Sequence, residues 1–135
     1  MRTAKCEMRN AKLGYEMKNI IESKSFDFAV RIVNLYKYLC NDKKEFVLSK
    51  QLLRSGTSIG ANVSEAEKAQ TKADFYTKLT IALKEANETD YWLRLLCATD
   101  YLTEQEFESL SKDIKEIISL LVAITKTTKQ DLIKK

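Results

Sequence analysis

Apolar residues recur three and four positions apart along most of this chain, with polar residues between them, and the pattern divides into four helical stretches. The first covers about residues 25–41. There Phe26, Ala29, Val30, Val33, Tyr36 and Cys40 share one face, while Phe28 and Leu35 point the other way. Apolar residues on two sides predict a helix buried more deeply than a surface helix. A connection from Asp42 to Leu48 follows. The second helix then begins with Ser49 as its N-cap, or with Asp42-x-x-Glu45 as a rival start. Its core stripe is Leu52, Leu53, Gly56, Ile59, Gly60, Val63 and Ala66. The third helix starts at the capping box Thr71-x-x-Asp74 and runs to about Cys97, with Phe75, Leu79, Ala82, Leu83, Ala86, Leu93 and Cys97 on one side. The fourth follows Thr103-x-x-Glu106. Its Phe107, Leu110, Ile114, Ile117, Leu121 and Ile124 alternate spacings of three and four, as a bundle seam does.

Two features depart from a plain amphipathic pattern. Gly56 and Gly60 lie one turn apart on the second stripe, where each costs about 1 kcal/mol relative to alanine. The expected compensation is close approach of a neighbouring helix, with the third helix as its partner. A helix break at Gly56 is the alternative. The third helix also has a second apolar side, with Ile81, Trp92 and Leu95 around Glu85 and Glu88. Beside it, the outer face of the second helix carries the short residues Ser58 and Ala61. Exposed aromatic and aliphatic residues of this kind are expected at a subunit interface. The competing reading folds them back on the first helix or the N-terminal extension.

The chain has no proline and three glycines, which suits an all-helical fold. Short connections between helices of similar length predict an all-α, antiparallel, up-down-up-down four-helix bundle, a single domain over residues 24–127. Residues 1–23 form an N-terminal extension, expected to be partly disordered, with Gly14 interrupting any helix. Met1 and Met17 are both compatible translation starts. Residues 128–135 form a basic C-terminal tail, with fraying expected from Lys126 onward.

The net charge is +4, and the N-terminal half supplies it: residues 1–64 carry twelve bases against six acids. Lys43, Lys44, Lys50 and Arg54 gather around the start of the second helix, and Lys72 opens the third. These five are the candidate phosphate contacts, with a solvated lysine-rich surface as the bland alternative. No aromatic is read as interleaved with them, so base stacking is not expected. There is no histidine, which removes Ser-His-Asp and Cys-His chemistry and the Glu-x-x-His motif of di-metal bundles. Gly56-x-x-x-Gly60 lacks the Lys-Ser/Thr of a phosphate loop. No enzyme, cofactor or metal is therefore expected. Cys6, Cys40 and Cys97 are odd in number and far apart, as in a reduced cytoplasmic protein. The N-terminus lacks the apolar stretch of a signal peptide, and no apolar run is long enough for a membrane.

Two segments together resemble a known family: Gln51-Leu-Leu-Arg-Ser-Gly-Thr-Ser-Ile-Gly-Ala-Asn-Val-Ser-Glu-Ala66, and the run from Asp74-Phe-Tyr to Trp92-Leu-Arg-Leu-Leu96. The chain resembles, over about residues 26–124, the bacterial four-helix bundles first known from reading frames inside intervening sequences of 23S rRNA genes. Relatives include the accessory variability proteins of diversity-generating retroelements. The resemblance implies an antiparallel bundle that assembles into a homopentameric ring, with no known enzymatic activity. For the retroelement relatives it implies a basic ring that binds nucleic acid and a partner reverse transcriptase. One common form of the motif has glycine where this chain has Ala66, so the second helix should continue smoothly there. Two functions are carried forward. One is a homo-oligomeric nucleic-acid or ribonucleoprotein accessory that uses Lys43, Lys44, Lys50, Arg54 and Lys72. The other is a protein-interaction scaffold with no nucleic-acid role. In either, Ser58, Ala61, Ile81, Glu85, Glu88, Trp92 and Leu95 are the candidate oligomer interface.

Overall fold

In the computed structural model, which describes residues 4–134 and side chains from residue 14, four helices follow one another: α1 (Ala4–Asn41), α2 (Leu48–Glu67), α3 (Lys72–Ala98) and α4 (Glu104–Ile133). Each packs on two neighbours, α1 on α2 and α4, and α3 on α2 and α4. This is the expected all-α four-helix bundle. The core is a continuous column of aliphatic side chains that includes Ile32, Leu39, Leu52, Ile59, Leu79, Leu93, Ile114 and Leu121.

Local signals set the starts of α3 and α4 where the pattern places them. The Thr71 hydroxyl accepts from the Asp74 N–H at 3.0 Å and starts α3. Thr103 and Glu106 exchange side-chain and backbone bonds of 3.1 and 2.9 Å to start α4. The α4 stripe is buried as expected at Leu110, Ile114, Ile117, Leu121 and Ile124, with Phe107 half-buried. Helix α4 also runs on to Ile133, past the expected fraying point. Its buried Thr125 and Thr128 return their hydroxyls to Leu121 and Ile124 carbonyl oxygens, each at 2.7 Å. Helix α2 is unbroken through Gly56 and Ala66.

Three expectations are corrected. First, α2 is capped by Glu45 rather than Ser49. The Glu45 carboxylate accepts the N–H groups of Val47, Leu48 and Ser49 at 3.1, 2.8 and 2.7 Å. Ser49 lies inside the first turn, fully buried, and donates its hydroxyl to the Glu45 carbonyl at 2.8 Å. Second, α1 turns a different face inward. Ile21, Ser25, Phe28, Ile32 and Leu39 are buried, whereas Phe26 is 58% exposed and Val30 49%. The inward set keeps the three-and-four alternation only if Ser25 and half-buried Leu35 are counted in it, and Ser25 is there because of its neighbour. A Cβ on Gly60 would lie 3.3 Å from the Ser25 carbonyl oxygen, so a bulky side chain has no room. Third, α1 is helical through Gly14, where an added Cβ would meet nothing within 4 Å. This glycine carries only its propensity cost and does not interrupt the helix.

The glycine pair of α2 is thus answered by α1, not α3. A Cβ on Gly56 would sit 2.8 Å from Ile32 Cγ2 and 2.9 Å from its Cγ1. The α1–α4 seam is more open, and ion pairs reinforce its edge. Arg31 reaches Asp113 at 2.5 Å and the Ser109 hydroxyl at 2.9 Å, and Lys24 reaches Glu116 at 2.7 Å.

Candidate nucleic-acid and assembly surfaces

The turn between α1 and α2 is built from the inside out. Lys44 adopts a left-handed backbone conformation (φ 56°). The Asp42 and Glu45 N–H groups bond to Tyr38 and Leu39 carbonyls at 2.8 and 2.9 Å. Glu45 is then turned inward, 8% exposed, onto the start of α2. Burial pushes its carboxyl up, but the N–H groups of Leu48, Ser49 and Val47, with the Ser49 hydroxyl, overcome this and hold it below the usual carboxylate range. Lys43, Lys44 and Lys50 remain exposed around the turn, and the Lys43 ammonium sits 5.9 Å from the Tyr38 ring centre.

The five candidate phosphate contacts do not form one patch. Arg54 lies on the α3 side of α2. Its guanidinium bonds to Glu85 Oε2 at 3.2 Å and to Glu88 Oε2, which also accepts the Trp92 indole N–H at 3.0 Å. Its charge is matched within the molecule. Lys72 opens α3 at the other end of the bundle, where it shares a shallow cleft with Tyr15, Lys18 and Glu22 of α1. There Lys18 lies 4.6 Å from the Phe75 ring centre. Burial, then a hydrogen bond with Glu22, pushes the Glu67 carboxyl up. Lys43 and Lys44 therefore stand on the turn and Lys50 on the first turn of α2, one helical turn before Arg54, while Lys72 lies apart from all of them.

The candidate interface residues do lie side by side along the outer α2–α3 face. Ile81 and Ala61 are exposed, and Ser58, Glu85, Glu88, Trp92 and Leu95 are half-buried. Ser58 turns its hydroxyl back to the Arg54 carbonyl at 2.6 Å. Tyr91 was not among the expected residues; it is 49% exposed and packs edge-on against Trp92 at 5.1 Å.

Two further surfaces escaped the sequence reading. Phe26 and Val30 form an outward stripe on α1. Phe46 and Val47, 58% and 72% exposed, project from the α1–α2 turn between Lys44 and Lys50, so an exposed aromatic does stand among the lysines, which corrects the expectation that none is interleaved with them. The signal for Phe46 was its place in a connection rather than on a helix stripe. Among the described residues, no three His, Cys, Asp or Glu side chains gather as a metal site, and no helix is long and apolar enough to cross a membrane.

These features define a helical bundle with charged and apolar outer surfaces and a filled interior. The chain belongs to the 23S rRNA-intervening sequence protein family, which matches over residues 17–123. Among solved structures it is similar to a protein of unknown function from the S23 ribosomal protein family of Bacteroides thetaiotaomicron. The two are 62% identical, the match covers 82% of this chain and 98% of the other, and the TM-score is 0.81. No curated protein matches the chain.

Proposed function

We propose that this protein is a non-enzymatic, homo-oligomeric bundle that serves as a nucleic-acid or ribonucleoprotein accessory. The observation that carries the binding reading is the run of exposed lysines, Lys43 and Lys44 on one fixed turn and Lys50 on the first turn of α2, which have no carboxylate partner like those of Arg54 among the described residues. Phosphate backbones are the partners such a cluster attracts, in a salt-dependent way. The family's name links its members to 23S rRNA, and the name of the similar structure links it to a ribosomal protein family.

Assembly is supported by two unlike apolar surfaces. Ile81, Tyr91, Trp92 and Leu95 lie on the outer α2–α3 face, and Phe26 and Val30 lie on α1. Contact between unlike surfaces is head-to-tail and makes a ring where the rotation between copies closes, as a pentamer requires. The test combines sedimentation with binding. The intact oligomer is expected to bind structured RNA or DNA at low salt and to release it as salt rises. Ile81→Lys, at an exposed position, is expected to split the oligomer without unfolding the chain, and Trp92→Glu to do so more strongly. A wild-type chain that sediments as a monomer at micromolar concentration defeats the assembly reading. An intact oligomer that binds no nucleic acid at low salt defeats the accessory reading.

A further inference from the structure

The α1–α2 turn inverts the usual hydropathy rule. A glutamate is buried, and the phenylalanine and valine that follow it are in solvent. Exposed single apolar residues are ordinary, but a large aromatic held out by a buried acid is not. The inversion is not slack in the chain. Glu45 is fixed by three backbone N–H bonds, Ser49 closes on the Glu45 carbonyl, and the left-handed Lys44 sets the direction of the turn. Phe46 is thereby presented on a preorganised support and loses little freedom on binding.

Charge indicates what it meets. Lys43, Lys44 and Lys50 surround Phe46 in sequence, and all three are exposed. Besides Asp42, the acids at this end include Glu104 and Glu106 at the start of α4, where Glu106 shares a cleft with Tyr38 of α1. Helix α4 packs on α1 and not on α2, so these acids flank the α1 side of the turn. The exposed charges that lead from the turn into α2, Lys43, Lys44 and Lys50, are basic, and a polyanion is drawn to that side.

We propose that this turn is a stacking platform for unpaired bases of a single-stranded nucleic acid, with Phe46 as the stacking plane, Val47 beside it, and Lys43, Lys44 and Lys50 on the flanking phosphates. The proposal rests on the nucleic-acid reading above and adds to it the strandedness of the ligand and the residue that reads it. A duplex hides its base faces, so an aromatic on a protruding turn gains nothing from paired strands.

The experiment compares a fluorescently labelled 12-nucleotide RNA single strand with its own duplex, titrated with the intact protein and with Phe46→Ala, Phe46→Trp and Lys43→Gln. Circular dichroism confirms the fold of each variant. Wild type is expected to prefer the single strand. Phe46→Ala is expected to weaken single-strand binding by about five- to a hundredfold, the range one stacked base supplies, with an unchanged salt slope and little change on the duplex. Phe46→Trp should retain affinity and show quenched fluorescence over the Trp92 background. Lys43→Gln should lower the salt slope instead. If wild type binds and Phe46→Ala binds the single strand equally well, the platform is overturned while the nucleic-acid reading stands. If wild type binds neither strand form, that reading falls and the platform with it. Dissociation of the oligomer by Phe46→Ala would assign the turn to contact between copies. Phe46-dependent flotation with phosphatidylserine vesicles, without an effect on RNA, would assign it to an anionic membrane. Either result overturns the proposal.

Discussion

Toward α1, helix α2 comes closest at Gly56 and Gly60, where Ile32 and Ser25 fill the space directly above its backbone. Toward α3 it shares the apolar core and adds polar pairs to it. Buried Ser55 receives the Thr89 hydroxyl at 2.9 Å, and further out Arg54 spans Glu85 and Glu88. The glycine contact is one of shape alone, and the other side adds hydrogen bonds graded from buried to exposed. Shape in a close-packed contact tolerates almost no added volume. A hydrogen bond can be removed with its partner at little cost. The two sides of one helix should therefore respond to substitution in different ways.

The largest effect belongs to the α1 side. Gly56→Val is expected to destabilise the fold by about 3 kcal/mol, at the upper end of the range for overpacking. Ile32 is fully buried and its branched side chain is stiff at the point of contact. Even Gly56→Ala should be destabilising, although alanine is worth about 1 kcal/mol more than glycine in a helix. Gly60→Ala should be far milder, because its added Cβ would meet the Ser25 carbonyl oxygen at 3.3 Å rather than a side chain below 3 Å. Denaturant midpoints at one fixed protein concentration measure all three, since association itself adds stability. Equal losses at Gly56 and Gly60 would break the contrast. If Ile32→Ala made Gly56→Ala harmless, the contact would be located at that one pair.

The next effect lies on the α3 side. Thr89→Val keeps the shape of the side chain but leaves buried Ser55 only its long 3.4 Å bond to the Leu52 carbonyl, at a cost of about 1 kcal/mol. Adding Ser55→Ala should recover most of that loss, because neither polar group is then stranded. A double-mutant cycle with a coupling above about 0.5 kcal/mol is the expected reading. Additive losses would mean that Ser55 and Thr89 matter only through volume, as on the α1 side.

The same contrast explains what could be read from the chain alone. Signals complete within a few residues were legible: the boxes at Thr71 and Thr103, the α4 seam, and the glycine spacing that announces a close approach. Which helix makes that approach was not legible. More apolar residues lie on the outer face of α1, and Ser25 looks unfit for a core until Gly60 stands opposite. The candidate site divides in the same way. Lys43, Lys44 and Lys50 are close in sequence and all three stay exposed around one turn and the helix start that follows it. Arg54 meets its carboxylates 31 and 34 residues away, and Lys72 is carried to the opposite end by the length of α2. Phe46 was missed because its exposure depends on Glu45 turning inward, which a hydropathy pattern does not foresee.

The smallest effect tests whether Arg54 belongs with the packing or with the ligand. It is half exposed, so its ion pairs are worth about 1 kcal/mol or less and weaken as salt rises. Arg54→Gln should therefore lower stability only slightly, and by less in molar salt. Because Glu85 and Glu88 already occupy the guanidinium, the salt slope of RNA binding should not change. Lys43→Gln or Lys44→Gln should each remove about 0.7 from that slope, the share of one phosphate on a single strand. If Arg54→Gln lowers the slope as the lysine variants do, Arg54 must leave its carboxylates when RNA arrives. The hydrogen-bonded side of α2 would then be a surface that opens for ligand rather than a fixed counterpart to the glycine side.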